Sequence, residues 1–242
     1  LENTDASELS KILENSYRAI NIALIEEWRK FSEYISVDLE KIISGIKLRN
    51  THKNMMLPGL GVGGYCLTKD PLLASWSKTK LYKGEEGLNM SEMAVTTNDN
   101  MPFYAFNILK SIFSKNSLNG KKIFMLGVAY APDVGDTRYS PVELFAKLLL
   151  KDQATIIFHD PFISYWDELD TLVEDNFDKM ENSDAIVFST GHNAYKKNIE
   201  LINLILDMNS TIIFDTIGIL DNEEIAQLSE KHTVKVIGRG DI

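Results

Sequence analysis

Residues 121–158 read KKIFMLGVAYAPDVGDTRYSPVELFAKLLLKDQATIIF. Ile123 to Gly127 is a short apolar run of the β type, Val142 to Leu150 repeats apolar residues at helical spacing, and Thr155 to Phe158 is a second β-type run. A strand, a helix and a strand in this order form a right-handed crossover between parallel strands. We therefore predict that this stretch begins a parallel β-sheet.

The same alternation continues to the end of the chain. Three further β-type runs are separated by two helical patterns, and in chain order these segments are Ala185 to Ser189, Ile199 to Leu206, Thr211 to Phe214, Asn222 to Ser229 and Val234 to Ile237. Strands that alternate with helices are typical of an open parallel sheet covered by helices on both faces. The sequence thus predicts an α/β fold whose second half, residues 119–242, is a Rossmann-like, doubly wound parallel-sheet domain.

The first half of the chain has a helical pattern. From Asp5 to about Tyr34 apolar residues recur at helical spacing, and Asp5 and Glu8 are placed as a capping box. Such a helix is roughly 45 Å long, because each helical residue adds about 1.5 Å. Since that is more than the width of a small domain, we expect the helix to pack along a partner surface, and the interface of a homodimer is the natural candidate.

Two more helices complete this half. Val37 to Ile46 has the pattern of a short helix that Gly45 could terminate, and Glu92 to Phe113 has the pattern of a second long helix. Ser117 to Gly120 consists mainly of turn-forming residues. We therefore predict a helical domain over residues 1–118.

Composition excludes several classes of function. The 242 residues carry 25 Lys+Arg and 35 Asp+Glu, a formal charge of -10, and no basic tract, so we predict no nucleic-acid partner. Apolar stretches such as Ile20 to Ile25 are far shorter than the roughly 20 residues that cross a bilayer, so we predict no membrane-spanning segment. The start, LENTDASELS, has no signal-peptide pattern, which predicts a cytoplasmic location.

Two further expectations concern the start of the chain and metals. The chain opens in helix-like sequence without an initiator Met, which suggests a cut or processed product. A single cysteine excludes internal disulfides and cysteine-cluster metal sites. No metal-ligand spacing connects the histidines, which are His52, His159, His192 and His232. We therefore predict no bound metal.

The segment with the clearest chemical content is PGLGVGGYCLTKD, residues 58–70, which we predict to lie in a loop from Leu57 to Asp70. Its four glycines in six positions let backbone N–H groups approach a ligand closely. The loop then presents the thiol of Cys66 beside a cation and a base, Lys69 and Asp70. The alternative interpretation is a tight turn followed by an inert buried cysteine.

Two weaker patterns are also candidates. Lys11 and Asn15 share one face of the first helix, where an ammonium and an amide could stabilise an oxyanion, but a solvated face has the same pattern. Asp133, Asp136 and Arg138 follow the first strand, at the edge where open parallel sheets bind ligands, although a plain loop with a local Asp–Arg pair fits equally well. No GxGxxG turn precedes a predicted helix, so the sequence predicts no dinucleotide fingerprint.

Three motifs together resemble one known family over essentially the whole chain. KILEN (11–15) resembles the Lys-x-x-x-Asn of the UDP-glucose/GDP-mannose dehydrogenases, GVGGYCLTKD (61–70) their Gly-x-Gly-Gly-x-Cys-x-x-x-Asp loop, and LGVAYAPDVGDTRYSP (126–141) their third-domain signature. The resemblance implies a Rossmann domain that binds NAD, a helical dimerisation domain, and a second Rossmann-like domain that helps to hold a UDP-sugar. Only the latter two are expected in this sequence, so NAD would be bound mainly by a domain that precedes it.

The activity that the resemblance implies is oxidation of the C6 hydroxymethyl group of a UDP-sugar to a carboxylate, with two NAD molecules reduced in turn. In that chemistry Cys66 adds as a thiolate to the C6 aldehyde, and the thiohemiacetal is oxidised to a thioester that water hydrolyses. Lys11 and Asn15 would stabilise the oxyanions, and Asp70 would position or activate the water. Arg138 would reach the cofactor.

Substrate contacts follow from the same resemblance. The residues that would line the nucleotide-sugar are Leu57, Pro58, Gly59, Leu60, Gly61, Val62, Gly63, Tyr130 and Ala131. Two cations that are usual in the family are missing, because Ala131 replaces a Lys and the Asp215-Thr216-Ile217-Gly218 segment lacks an Arg. Arg49, Lys53 or Arg239 could compensate for them. The sequence PGLGVGGYC resembles the UDP-N-acetylhexosamine dehydrogenases more closely than the UDP-glucose enzymes.

Two other functions stay open at this point. The missing cations would suit a non-catalytic module that binds sugar nucleotides and dimerises, or a degenerate paralogue. A cysteine-dependent hydrolase would need a histidine base near Cys66, for which the sequence offers only the remote His52.

Overall fold

The computed structural model describes residues 3–242, apart from the side chain of Lys115. The first half of the chain contains four α-helices within this described part, and they are Thr4–Tyr34 (α1), Leu39–Lys47 (α2), Tyr65–Lys80 (α3) and Asn89–Ile112 (α4). The structure therefore confirms the three predicted helices of this half. It adds α3, which the sequence analysis did not predict.

The ends of these helices differ in detail from the prediction. The side chain of Asn3 caps α1 by accepting a hydrogen bond from the N–H of Ala6 at 2.7 Å, so the predicted capping box at Asp5 and Glu8 is wrong. Asp5 instead lies in the first turn, where its charge complements the helix dipole. Gly45 does not terminate α2, which continues through it to Lys47.

The loop predicted from Leu57 to Asp70 is also too long. Its last six residues form the beginning of α3, which starts at Tyr65 directly after Gly64. Gly64 has a φ of +83°, a conformation that glycine adopts without steric cost, and it turns the chain into the helix. The dense glycines before α3 and Pro71 within it conceal the helical pattern in the sequence.

The second half is a parallel sheet with helices on both faces, as predicted. Its elements are Lys122–Leu126 (β1), Pro141–Lys151 (α5), Thr155–His159 (β2), Tyr165–Trp166 (β3), Thr171–Leu172 (β4), Ala185–Phe188 (β5), Ile199–Asp207 (α6), Ile212–Asp215 (β6), Asn222–Ser229 (α7) and Thr233–Val236 (β7). The sheet has the order β2-β1-β5-β6-β7, and all of its pairs are parallel. The hairpin of β3 and β4 was not predicted, because two-residue strands carry no periodic signal.

Alternate residues of β1 show why this sheet is covered on both faces. Ile123 and Met125 belong to one buried core, whereas Phe124 and Leu126 belong to the other. Successive side chains of a strand point to opposite faces, so an entirely apolar strand needs a cover on each side. Helices α4 and α5 contribute to the first core, and α6 and α7 contribute to the second.

The two halves share buried surface. Leu109 of α4 lies in the same core as Met125 of β1. The chain after β7 also returns to the helical half, where the carbonyl of Gly238 accepts a hydrogen bond from the N–H of Leu39 at 3.0 Å. The division between residues 118 and 119 stays a prediction. Among the described helices, none is both long and apolar enough to cross a membrane.

Candidate functional site

The glycine-rich loop, defined here as residues 57–64, lies across the carboxyl edge of the sheet. Pro58 packs against Gly238, which follows β7, and a Cβ on that glycine would approach the proline ring to 2.6 Å. Gly59 faces the carbonyl oxygen of Thr216, which follows β6. Ligands of open parallel sheets bind at this edge. The fold therefore brings the predicted substrate loop to the position where such a sheet offers a site.

The end of the loop packs on the segment that follows β1. A Cβ on Gly63 would overlap the carbonyl oxygen of Tyr139 and would lie 2.9 Å from Cβ of Tyr130. A Cβ on Gly64 would lie 3.1 Å from the Tyr130 ring. Two of the predicted substrate residues, Gly63 and Tyr130, are thus in direct contact. These two glycines are required by protein packing, in contrast to the expectation that they leave room for a ligand.

Cys66 and Asp70 lie one turn apart on α3. Cys66 is exposed in the first turn, which contradicts the alternative of a buried cysteine. Asp70 is only 8% exposed, and its Oδ2 accepts a hydrogen bond from Nδ2 of Asn15 at 2.7 Å. Residues four apart share one face of a helix. The helical geometry therefore places the thiol and the carboxylate side by side, and it joins both to α1.

Two lysines surround this carboxylate. Lys11 precedes Asn15 by one turn of α1, and it lines an open cavity of about 550 Å³ together with Asp70. Nζ of Lys69 lies 3.8 Å from Oδ1 of Asp70 and 4.1 Å from the centre of the Tyr65 ring. The structure thus places Lys11 and Asn15 of α1 beside Asp70 of α3, and Cys66 lies one helical turn before Asp70. A thiol, a carboxylate, an amide and ammonium groups are the components of acyl-transfer chemistry.

A second cavity of about 560 Å³ lies on another face of α3. Tyr65, Lys69 and Thr68 of this helix form one wall, and Tyr139 and Lys147 lie opposite. The rings of Tyr65 and Tyr139 are 5.7 Å apart and tilted, and both tyrosines are exposed. No described residue that lines either cavity is a histidine.

Arg138 stays at the surface of the loop after β1. Its guanidinium donates to Asp136 from Nε at 3.0 Å and from Nη2 at 2.7 Å, and this contact lowers the pKa of the Asp136 carboxyl. The local Asp–Arg pair that the sequence left open is therefore present. The side chain of Arg138 is 78% exposed, so a ligand could reach it. Binding through the guanidinium N–H groups that contact Asp136 would break the ion pair.

Asp160 and His192 form a buried polar network beneath the same loop. Oδ2 of Asp160 accepts from the N–H groups of Val128 and Ala129 at 2.8 and 3.2 Å and from Nε2 of His192 at 3.0 Å. Nδ1 of His192 accepts from the N–H of Asp133 at 2.9 Å. Burial raises the pKa of Asp160, but the hydrogen bonds from His192 and the backbone outweigh it, and the pKa is lowered. The carboxylate therefore occupies the N–H groups that hold phosphate in dinucleotide-binding domains.

The cations that were considered as replacements have different environments. Arg239 is 7% exposed, and it contacts Asp38 at 3.1 Å, Asp241 at 2.8 Å and Asn222 at 3.0 Å. These partners already occupy its guanidinium, so compensation by Arg239 is not supported. Arg49 and Lys53 are exposed on the segment that leads into the loop.

Two details of the loop correct the sequence analysis. Leu60, predicted to line the substrate, is 2% exposed and belongs to the first core, which contains Met125. Its side chain therefore anchors the loop to the sheet. The segment Gly59–Gly64 also has the form GxGxxG, and it directly precedes α3. The prediction that no GxGxxG turn precedes a helix is therefore wrong. No strand leads into it within the described residues, and it is not part of a strand–helix–strand unit.

The sequence analysis missed two groups in this region. Asn98 of α4 makes two hydrogen bonds to Val62, a contact between distant residues that no local pattern reveals. Asp160 follows β2 directly, and a polar residue at the carboxyl end of a predicted strand is a signal that could have been used. No group of three or more His, Cys, Asp or Glu residues among the described positions could hold a metal ion.

Comparison with known proteins matches this geometry to one family. Residues 5–100 match the central-domain model of the UDP-glucose/GDP-mannose dehydrogenase family, and residues 124–222 match the UDP-binding-domain model of the same family. A UDP-N-acetyl-D-mannosamine dehydrogenase of Methanococcus maripaludis is 34% identical over 98% of this chain and 53% of its own length. The chain thus spans about half the length of the curated relatives it matches.

Solved structures agree with the sequence comparison. The UDP-D-ManNAc dehydrogenase of Pyrococcus horikoshii superposes with a TM-score of 0.81 at 29% identity, over 99% of this chain and 53% of that one. An NDP-N-acetyl-D-galactosaminuronic acid dehydrogenase of Methanosarcina mazei Go1 gives a TM-score of 0.85 at 28% identity, over 98% of this chain and 51% of that one. From the motifs, the fold and these matches together, the chain belongs to the UDP-glucose/GDP-mannose dehydrogenase family.

Proposed function

We propose that this chain forms the cysteine-bearing part of a nucleotide-sugar 6-dehydrogenase that oxidises the C6 hydroxymethyl group of a UDP-sugar to a carboxylate. The observation that carries the proposal is the hydrogen bond from Asn15 to Asp70. It joins α1, which bears Lys11, to the face of α3 that bears Cys66. Of the four residues that the family resemblance selected, Lys11 and Asn15 lie on α1 beside Asp70 of α3, and Cys66 lies one turn before Asp70.

Each of these groups has a role that its surroundings support. The exposed thiol of Cys66 adds, as a thiolate, to the C6 aldehyde, and it forms a C–S bond while the carbonyl oxygen gains the negative charge. The ammonium of Lys11 and the amide of Asn15 stabilise that oxyanion. Two-electron oxidation of the adduct gives a thioester. Asp70 then activates the water that hydrolyses it, which releases the carboxylate and restores the thiol.

The cofactor that this oxidation needs is NAD, which supplies the hydride acceptor when bound. The described residues do not fit a dinucleotide by themselves, because Asp160 occupies the N–H groups after β1 and Asn98 occupies the N–H of Val62. We propose that a dinucleotide-binding domain outside these 242 residues holds NAD. In this arrangement Arg138 would leave Asp136 to reach the cofactor.

The substrate is proposed to be a UDP-N-acetylhexosamine, by analogy with relatives that carry the name UDP-N-acetyl-D-mannosamine dehydrogenase. Of the residues Leu57 to Gly63, those before Val62 would contact it through backbone groups at the sheet edge, with Leu60 serving as the anchor in the core, because Val62 is bonded to Asn98 and Gly63 packs on Tyr139. Arg49 and Lys53, exposed before the loop, are the remaining candidates to neutralise its pyrophosphate.

Cys66→Ser tests this mechanism in the chain joined to its dinucleotide-binding domain. Serine keeps the side-chain size but replaces the thiol by a poor nucleophile, so turnover to the uronic acid should fall about a thousandfold, or about 4 kcal/mol of barrier. Oxidation of a supplied C6 aldehyde should be lost, whereas its reduction by NADH should be retained. Thr79→Ser, near the end of the same helix, should leave both reactions unchanged. Near-normal aldehyde oxidation by Cys66→Ser would rule out the nucleophile.

A non-catalytic module that binds sugar nucleotides is the second candidate function. It is favoured by Ala131, which lacks the usual cation, and by the burial of Arg239 among carboxylates. The same experiment decides between the two functions, because a module would show no turnover in either the parent protein or the variant. A cysteine hydrolase has less support, since His52 is exposed and, among the described residues, its ring bonds only to Thr51.

A further inference from the structure

We propose that Asn98 is a positioning residue that fixes the glycine-rich loop and, through it, the first turn of α3 on which Cys66 lies. The inference rests on the proposed function for its catalytic consequence, but the contact itself does not. Oδ1 of Asn98 accepts a hydrogen bond from the N–H of Val62 at 2.7 Å, and Nδ2 of Asn98 donates to the carbonyl of Val62 at 3.0 Å. One side-chain amide thus satisfies both backbone groups of one residue.

The loop has little else to hold its backbone. Within the described part of the chain, the two bonds to Asn98 are the only protein hydrogen bonds made by the backbone of residues 57–63. The loop contains Gly61 at a φ of +116° and ends at Gly64 at +83°. Glycine loses more conformational freedom on folding than any other residue, so such a segment is costly to order. A paired contact in its middle compensates for part of that cost.

The position of the contact connects it to the cysteine. Val62 is four residues before Cys66, and Gly63 between them is pressed against Tyr139. Gly61, on the other side of Val62, lies so close to α4 that a Cβ would be 3.2 Å from the carbonyl oxygen of Asn98. The contact thus fixes the backbone of the residue between these two glycines. Without it, the packing of Gly63 on Tyr139 remains, but no hydrogen bond holds the loop before the start of α3.

The helix that carries Asn98 is a firm support. Ala94 and Met101 of α4 are each 2% exposed, and Ala105 of the same helix is fully buried. Asn98 thus fixes the glycine-rich loop, which has no regular secondary structure, relative to a well-packed helix. Precise placement of a nucleophile matters because a shift of about 1 Å can reduce a rate by about a hundredfold.

Amide hydrogen exchange on the 242-residue chain tests the contact without any need for activity. In Asn98→Ala, the protection factor of the Val62 amide should fall at least tenfold, and those of Lys69 and Asp70, in the first hydrogen-bonded turn of α3, at least threefold. Asn100→Ala is the matched control, because Asn100 is exposed on the same helix. Among the described residues, its side chain bonds only to the carbonyl of Thr96. The control should leave all of these amides unchanged.

Asn98→Asp separates this role from general destabilisation. A protonated aspartic acid can still donate to the carbonyl of Val62, but a carboxylate cannot. The carboxylate keeps the acceptor for the N–H of Val62, so the readout is the protection of Lys69 and Asp70, which should approach that of the parent as pH falls through the titration of the new carboxyl, near pH 4 by the ordinary value of about 3.9. A merely structural defect would show no such recovery. Unchanged protection in Asn98→Ala would overturn the contact.

The catalytic consequence is measured in the chain joined to its dinucleotide-binding domain. There Asn98→Ala should lower kcat for aldehyde oxidation at least tenfold, while Asn100→Ala should not. A loosened loop with an unchanged kcat would overturn the positioning role. Absence of turnover in the parent protein would contradict the proposed function instead, and the exchange of Lys69 and Asp70 would still decide whether Asn98 positions the start of α3.

Discussion

Asp160 accepts four hydrogen bonds although its side chain is almost entirely buried. Three come from the N–H groups of Val128, Ala129 and Phe162, and the fourth comes from His192. The network holds the loop that bears Tyr130 and Arg138, because its members lie at the start of that loop. A buried carboxylate with several donors is stabilised in its charged form, which is why the pKa of Asp160 is lowered despite burial.

Asp160→Asn should lower the free energy of unfolding at pH 7 by about 2–3 kcal/mol, the usual contribution of hydrogen bonds to a charged group. Since the folded-state pKa lies below that of the unfolded chain, the contribution is present above about pH 3.9 and is lost as pH falls through the folded-state pKa. Urea denaturation at several pH values should therefore show the difference between parent and variant narrowing below about pH 4. Asp178→Asn, at an exposed position, should show no such difference at any pH. A difference that is constant with pH would contradict the charged role of Asp160.

Helix α1 has an unusual distribution of polarity. Its buried face contains Asn15, Glu26 and Arg29, whereas an exposed stripe contains apolar side chains. The stripe residues are Leu9, Leu13, Tyr17, Leu24, Trp28 and Phe31. At about 100° per residue they fall on one side of the helix, over roughly 33 Å of its length. An apolar surface of this extent is typical of protein–protein contacts.

We propose that a second copy of the chain covers this stripe, as a two-fold dimer with α1 at its centre. Trp28→Glu combined with Phe31→Glu should convert the dimer into a monomer, because it places four charges in an apolar interface. Sedimentation at tens of micromolar measures the change. Ile199→Glu, which replaces a side chain that is 77% exposed on α6, is the control and should leave the dimer intact. A monomeric parent protein would contradict the proposal.

The sequence predicted some elements much better than others, and α1, α3 and β1 show why. The apolar residues that repeat at helical spacing along α1 and the apolar run of β1 are local signals. Both elements appear where they were predicted. Helix α3 was missed because glycines directly precede it and Pro71 lies within it, and local pattern cannot tell a glycine-rich loop from a glycine that turns the chain into a helix.

The candidate site shows the same division. The sequence predicted Cys66 and Asp70 as neighbours in one loop, whereas the structure places them one turn apart on a helix. The contact of Asp70 with Asn15 joins residues 55 positions apart, and only the resemblance of the motifs grouped these two residues. The role of Leu60 as a core anchor and the contact of Asn98 depend on tertiary packing, which the sequence pattern does not contain.

At the scale of the whole molecule, the charge distribution limits how an anionic substrate can bind. The formal charge of -10 opposes a pyrophosphate, so attraction must come from local cations. Lys11 and Lys69 surround the cysteine site, and Arg49 and Lys53 lie before the glycine-rich loop. These cations lie beside carboxylates, since Glu8 and Asp70 line the same cavity as Lys11, and the binding of an anion through the cations should weaken as the salt concentration rises.

Without another domain, these 242 residues offer a dinucleotide only turns whose backbone donors are already bonded. Both places that resemble a dinucleotide turn already have internal partners. In the GxGxxG segment the N–H of Val62 is bonded to Asn98, and after β1 the N–H groups of Val128 and Ala129 are bonded to Asp160. Backbone donors that are already satisfied cannot hold a pyrophosphate without loss of those bonds.

We therefore expect this chain alone to form no NADH from UDP-N-acetylmannosamine or UDP-glucose, and to give no saturable heat when it is titrated with NAD in a calorimeter. The absorbance of NADH measures turnover. The UDP-N-acetyl-D-mannosamine dehydrogenase of Methanococcus maripaludis serves as the positive control. A UDP-sugar should still give heat, because the sheet edge and the glycine-rich loop lie within the chain. NADH formation by the chain alone would show that one of the two turns releases its internal partner and binds the cofactor.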